Sequence, residues 1–201
     1  TELVIWQRSL PSCFQDWIDQ TDAGNLPDFR ILVKIKELRH TLELLLDRSD
    51  LTKGAMRDLL VADINGLVFG FADITQSDEV DVRLEPVSGD ACWKFHRDNV
   101  KTRLVTTYRG LTTEWVQKIY ADQAIKEQRE FKGPLERLGN GDVAIFKGSF
   151  KSQKRGIVHR SPSIAGTGLT RLLLCLNQRT DASPDPWTKG LAYFTKRIKS
   201  S

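Results

Sequence analysis

Val80-Asp81-Val82-Arg83-Leu84 is the stretch on which the fold turns. Apolar and charged residues alternate singly through it, which is the period of a half-buried β-strand. C-terminal to it the strand signals continue. Pro86 and Gly89 mark a turn, and Cys92 to His96, Arg103 to Tyr108 and Leu111 to Val116 read as strands. Residues 118–138 are mixed and charged, a helical or looped insertion. Gly139, Gly141 and Asp142 mark a tight turn before the buried strand Val143-Ala144-Ile145-Phe146-Lys147, then Gly156 to His159 and Leu169 to Leu176. N-terminal to it the period is helical. Pro27-Asp28 opens a pattern in which Ile31, Ile35, Leu38, Leu42, Leu45 and Leu46 recur every three or four residues to about Asp47. Met56, Leu59, Leu60, Ala62, Ile64 and Val68 form a second helix, broken near Gly66 and Gly70 or continuing past them with strain. Residues 1–27 read as irregular apart from a short helix around Cys13 to Gln20 with Ser12 as cap. From Thr180 the tail is polar, with Pro184 and Pro186, then a closing helix.

Helices first and short strands after predict an α+β fold with a mostly antiparallel sheet. About eight short strands suit a double-stranded β-helix, the cupin-like jelly roll, with the N-terminal helices packed on it. The expected organisation is one domain over 1–201: a mainly helical part (1–77), a jelly-roll core (78–178) and a tail (179–201).

The chain has 201 residues and a formal charge of +4, the size and composition of an ordinary globular domain. No apolar run approaches the roughly 20 residues of a membrane helix, so no membrane partner is expected. The first residues lack a signal-peptide pattern. Cys13, Cys92 and Cys175 are odd in number and far apart, which argues against a disulfide framework and for a reducing cytoplasm. Basic residues gather at Lys147, Lys151, Lys154 and Arg155 and again at Lys196, Arg197 and Lys199. They read first as solvated charge, with nucleic-acid contact as the lesser alternative.

Two of the three histidines stand in a chemically meaningful arrangement. His96 and Asp98 are two apart, and on a strand such residues share a face about 6.5–7 Å apart. His159 follows 63 residues later, delivered by the hairpin after Val143–Lys147. Two imidazoles and one carboxylate are the 2-His-1-carboxylate set of non-haem Fe(II) oxygenases, which leaves metal positions open. A salt-bridged structural pair is the competing reading. His40 lies in the first helical pattern, as a flank residue.

Arg171 opens the apolar strand Arg171-Leu172-Leu173-Leu174-Cys175-Leu176. A charge there is costly unless paired, and guanidinium grips a carboxylate through two parallel hydrogen bonds. The pair would be a bound anion or a buried Glu114 or Asp142. Arg103 is a rival clamp, and Thr107 or Tyr108 could donate a further hydrogen bond. Cys92 shares strand parity with His96 and Asp98. Four extended residues span about 13 Å, which keeps Cys92 out of the ligand set unless the backbone bends. With a bend, His/Asp/His/Cys would close a tetrahedral zinc site. Cys13 and Cys175 read as small buried hydrophobes.

The motifs Cys92-Trp93-Lys94-Phe95-His96-Arg97-Asp98-Asn99-Val100, Arg103 to Gly110, Thr113-Glu114-Trp115, Gly141-Asp142-Val143-Ala144, His159-Arg160-Ser161-Pro162 and Arg171 to Leu174 together resemble the bacterial family called domain of unknown function 1826, most densely from about 90 to 176. That resemblance implies a bacterial protein associated with zinc-homeostasis genes such as metallochaperone GTPases. More widely, the chain is similar to the Fe(II)/2-oxoglutarate oxygenases. This similarity implies His96, Asp98 and His159 as metal ligands, Arg171 as the clamp on the far carboxylate of 2-oxoglutarate, and Tyr108 or Arg103 as its helper. Cys92, Glu114, Trp115 and Arg160 are candidate accessory residues. The expected function is therefore an Fe(II)- and 2-oxoglutarate-dependent oxygenase acting on an unknown second substrate. The alternative is a non-catalytic protein that binds zinc or another divalent metal, with Cys92 as its discriminating residue.

Overall fold

The computed structural model describes residues 2–149 and 156–188. The closing helix expected in the tail, and the basic residues Lys151, Lys154, Arg155, Lys196, Arg197 and Lys199, lie outside them. The described chain runs β1 (Leu3–Trp6), α1 (Ser12–Gln20), β2 (Phe29–Lys34), α2 (Leu38–Leu46), α3 (Ala55–Thr75), β3 (Glu79–Val87), β4 (Thr102–Arg109), β5 (Glu114–Trp115), α4 (Ala121–Glu127), β6 (Glu136–Arg137), β7 (Val143–Lys147), β8 (His159–Arg160) and β9 (Arg171–Gln178). Six strands form an antiparallel sheet in the order β1-β7-β4-β9-β3-β2, and three short ones form a second sheet in the order β6-β5-β8. No described helix is long and apolar enough to cross a membrane.

Strand alternation decides what each face of the large sheet meets. Val80, Val82 and Leu84 of β3, Leu104 and Tyr108 of β4, and Leu172, Leu174 and Leu176 of β9 face one way. They bury Phe14 and Ile18 of α1, Leu38, Leu42 and Leu46 of α2, and Leu60, Ile64, Val68 and Phe71 of α3. Each such side chain contributes about 1.5–3 kcal/mol through burial. On the other face, Val105, Ala144, Phe146 and Cys175 pack with Trp115, Leu138, Ile157 and Leu173. The small sheet thus covers part of the second face, and a cavity opens beside it.

Four local expectations change. Leu3–Trp6 is an edge strand on β7, not irregular chain. Phe29–Lys34 is a strand paired with β3 and not the start of a helix. Its β-branched Ile31 and Val33 fall, with Phe29, on the helix-covered face, and helix proper begins only at Leu38. The second helix takes the continuous one of its two expected forms, running through Gly66 and Gly70. Cys92 to His96 is not a strand. Cys92 sits at φ +56°, and Asp90 ties this turn to the 163–165 segment by accepting from Ser163 Oγ and the amides of Ile164 and Ala165. The α1 helix begins at Ser12 itself, with Pro11 before it and no side-chain cap bond.

Candidate metal centre

The centre is assembled where two chain segments meet in a single antiparallel bridge. The His96 amide donates to the His159 carbonyl at 3.0 Å and the His159 amide to the His96 carbonyl at 3.1 Å. The bridge extends the small sheet, since His159 also pairs with Trp115 of β5, and it sets the two imidazole centroids 4.6 Å apart. Asp98 then lies between them. Its Oδ1 is 3.4 Å from His96 Nε2 and its Oδ2 is 3.3 Å from His159 Nε2. One donor atom from each of the three residues falls within 4.8 Å of the others, and Cys92 is no member of this group. The bend at Cys92 therefore does not make a fourth ligand of it. Cys92 is exposed and lines the cavity mouth.

Each imidazole is oriented by the backbone. Nδ1 of His96 meets the Lys94 carbonyl at 2.7 Å, and Nδ1 of His159 meets the Ile157 carbonyl at 3.3 Å. A carbonyl can only accept, so the proton belongs on Nδ1 and the Nε2 lone pair faces Asp98. Phe146 packs 4.8 Å from the His159 ring. Asp98 is held by its main chain: its carbonyl accepts from the Ser149 amide at 2.7 Å and from Ser149 Oγ at 3.1 Å. Gly148 makes this approach possible, because a Cβ there would collide with the Asp98 and Val100 carbonyls. Nothing in the sequence flagged Gly148.

Burial works against ionisation of Asp98, but His159 and His96, which can donate to it from Nε2 when protonated, and the charge of Arg103 outweigh it and hold the carboxyl well below its ordinary range. Arg103 Nη1 stands 2.7 Å from Asp98 Oδ2, and its Nε donates to Asn177 Oδ1 at 2.7 Å. Arg103 thus orients a candidate ligand. A proton on His96 Nε2 would donate to the Asp98 carboxylate, and this raises the imidazole above its ordinary value, against burial.

The donor set fits a divalent ion. Atoms bound at about 2.1 Å to one centre sit about 3.0 Å apart at a right angle and about 3.4 Å apart at the tetrahedral angle. The two histidine–aspartate separations, each to a different carboxylate oxygen, are 3.4 and 3.3 Å, and one donor atom from each of the three residues lies within 4.8 Å of the others. Asp98 Oδ2 is buried without an aligned hydrogen-bond donor. His96 keeps 33% of its side chain accessible against 7% for Asp98 and 8% for His159, so the centre is reached from the His96 side.

That side opens on a cavity of about 200 Å³ lined by both histidines, Thr113, Val105, Leu173 and Cys175, with Arg103 and Arg160 among its polar groups. This equals about six or seven waters at ~30 Å³ each, the space of a small organic acid. Arg171 shares the β9 face of Leu173, Cys175 and Asn177 by alternation and is fully buried. Its Nε donates to the Leu111 carbonyl, while Nη1 and Nη2 have no hydrogen-bond partner among the described residues. The salt bridge to Glu114 or Asp142 is not formed. Glu114 instead accepts from Arg137 and Arg160, and Asp142 accepts from the Gly139 and Arg8 amides. Burial pushes the Arg171 guanidinium down to about 10, so it stays charged at neutral pH. Gly110 leaves room for it: a Cβ there would lie 3.3 Å from Arg171 Cγ and 2.7 Å from the Thr170 carbonyl.

Tyr108 is placed elsewhere. It lies on the helix-covered face, and its hydroxyl donates to Asp63 at 2.6 Å, where Arg8 also pairs. Thr107, on the Arg103 and Val105 face, is buried with an unpartnered hydroxyl, as is the Trp115 Nε1. Arg160 bonds Glu114 and stacks over Phe95 at 4.2 Å. Sequence reading missed Arg30, Arg83, Glu85, Thr113 and Asn177 as cavity residues. Strand parity with Asp81 was the signal available for Arg83 and Glu85.

Among solved structures, a prolyl-4-hydroxylase of Pseudomonas putida is similar with a TM-score of 0.35 and 13% identity, over 83% of this chain and 95% of that one. No curated protein matches the chain. The family model described as Protein of unknown function (DUF1826) matches residues 1–177, and the chain belongs to that family.

Proposed function

We propose that this protein is a non-haem Fe(II), 2-oxoglutarate-dependent oxygenase on a jelly-roll, double-stranded β-helix core. The observation that carries the reading is the Arg171 guanidinium, buried with both terminal nitrogens unpartnered among the described residues; it does not itself line the cavity, but it shares a strand face with Leu173 and Cys175, which line it together with two candidate metal ligands. A desolvated cation without a partner costs stability, and a ligand carboxylate would remove that cost through two charge-assisted hydrogen bonds.

His96, Asp98 and His159 would hold the metal through Nε2, a carboxylate oxygen and Nε2. Iron with 2-oxoglutarate would supply oxidative decarboxylation of the co-substrate coupled to oxidation of a C–H bond in a second substrate. The chain's own work is positioning. Arg171 would grip the far carboxylate, with the Thr107 hydroxyl and Trp115 N–H as the donors available to it in place of Tyr108. Arg103 and Asn177 hold Asp98 in register, and the two carbonyls keep both imidazoles in the ligating tautomer. Three ligands leave positions open for co-substrate and oxygen, and Cys92 lies outside the group that would close the site. A reducing cytoplasm suits both an exposed thiol and ferrous iron.

The test is anaerobic titration of metal-free protein with Fe(II) and then 2-oxoglutarate, followed by the visible charge-transfer absorption of the chelate. The expected band disappears in Arg171→Ala and His96→Ala. A wild-type protein that binds Fe(II) yet develops no band would end the oxygenase reading.

A further inference from the structure

The mouth of the cavity carries a pair of arginines that the metal chemistry does not need. Arg30 of β2 stands directly opposite Arg83 of β3. Arg83 stands opposite Cys175, and Cys175 opposite Val105. This row therefore runs from the edge strand inward across the cavity face, and all four residues line the cavity. The neighbouring row, Asp81, Asn177 and Arg103, ends on Asp98. Like charges directly opposite on adjacent strands are destabilising, so the juxtaposition of Arg30 and Arg83 is tolerated only because each has a carboxylate of its own, Asp81 and Glu85.

The two arginines are held differently. Arg30 donates to both carboxylate oxygens of buried Asp81, at 3.1 and 2.7 Å, and to the Ala182 carbonyl at 2.9 Å. It is a fixed, pre-oriented cation with 40% of its side chain still accessible. Arg83 is 48% accessible and, among the described residues, pairs with Glu85, two residues along its own strand. An exposed pair of that kind is weak and easily exchanged. Four arginines, Arg30, Arg83, Arg103 and Arg160, line the cavity; Arg30, Arg103 and Arg160 are held by the buried carboxylates of Asp81, Asp98 and Glu114, so Arg83, on the partly exposed Glu85, is the most readily released of them.

We infer that the second substrate is anionic, and that Arg83, released from Glu85, holds its carboxylate or phosphate at the mouth beside Arg30. The inference rests on the oxygenase reading for the word substrate. Strands lie about 4.8 Å apart, so β3 stands about 10 Å from β4, where Arg103 meets Asp98. The reacting carbon would therefore be several bonds from the anionic group. Glu85 acts as a placeholder for that anion.

The test uses protein loaded anaerobically with Fe(II) and 2-oxoglutarate, which fills the inner anion site. Inorganic sulfate, for a phosphate-type group, and acetate, for a carboxylate, are titrated by calorimetry while the charge-transfer band is monitored. At least one probe should bind with the band unchanged, and the tighter one identifies the group. Arg83→Gln should weaken that binding about tenfold, the loss of one charge-assisted hydrogen bond, and Glu85→Gln should tighten it several-fold. Both variants should keep the band, since neither residue touches the ligand set. Binding of neither probe, or equal binding in all three proteins, overturns the inference while an intact band leaves the oxygenase reading standing. Absence of the band in wild type overturns the substrate assignment together with that reading.

Discussion

Replacing Arg171 by Met should make the metal-free protein more stable. Arg171 is fully buried, and among the described residues only its Nε is hydrogen-bonded. Burial lowers its ionisation well below the ordinary arginine value, to about 10, which corresponds to roughly 3 kcal/mol of cost to the folded state. Methionine keeps the long unbranched shape and carries no charge. The loss is the bond to the Leu111 carbonyl, about 1 kcal/mol, and Leu111 is exposed, so water can replace it. The net gain is about 2 kcal/mol, or a rise of about 4–8 °C in Tm for a chain of this size. The sign with pH follows from a base whose folded value is depressed. The cost is full below about 10 and is relieved as pH rises through that value, so the advantage of the variant should hold at neutral pH and fade in strong alkali. Thermal unfolding at pH 7, with and without Fe(II) plus 2-oxoglutarate, is the assay. Wild type should gain stability from the co-substrate and Arg171→Met should not. A metal-free variant destabilised by 2 kcal/mol or more would refute the reasoning, because Arg171 would then be a satisfied structural residue.

Gly148→Ala should destabilise the fold by about 2 kcal/mol or more and weaken Fe(II) binding at least tenfold, since its Cβ displaces the Asp98 and Val100 backbone; denaturant melts and metal titrations read the two effects. Cys92→Ala should leave Zn(II) and Fe(II) affinity within about twofold, measured by chelator competition, because Cys92 is outside the ligand group; a tenfold loss would revive a closed zinc site. Metal affinity should climb as pH rises past about 6.5, because the Asp98 hydrogen bond raises His96 and its proton competes with the ion. The metal-free fold shows the opposite slope: the His96 contribution is full below about 6.5 and is lost as pH rises through the raised value. An affinity flat from pH 6 to 8 would contradict this assignment.

Much of this was legible in the residues. The single alternation of 80–84, the apolar run after Arg171 and the helical spacing of 56–68 set three main elements, because side-chain period is a local property of the backbone. His96, Asp98 and His159 could be grouped because few chemistries need that trio. Other features depended on partners far along the chain. Phe29–Lys34 suits either period, and β3 waiting beside it made it a strand. Cys92 leaves strand geometry because Asp90 and the 161–165 segment tie its turn. Tyr108 and Thr107 are neighbours in sequence, yet one meets Asp63 among the helices and the other faces the cavity side.

By itself, then, the sequence determined which side chains share a face: Val80 with Val82 and Leu84, Arg171 with Leu173 and Cys175. Only the tertiary structure decided what each face meets. The charged side of β3 reads locally as a solvent face. It lines a cavity instead, because the order β4-β9-β3-β2 sets Arg83 and Glu85 in rows leading toward the centre. Glu114 is claimed by Arg137 and Arg160 across β6 and β8, and that long-range pairing leaves the Arg171 guanidinium without a carboxylate partner. Local spacing cannot encode such choices, since they arise from hydrogen-bonded pairing between segments tens of residues apart.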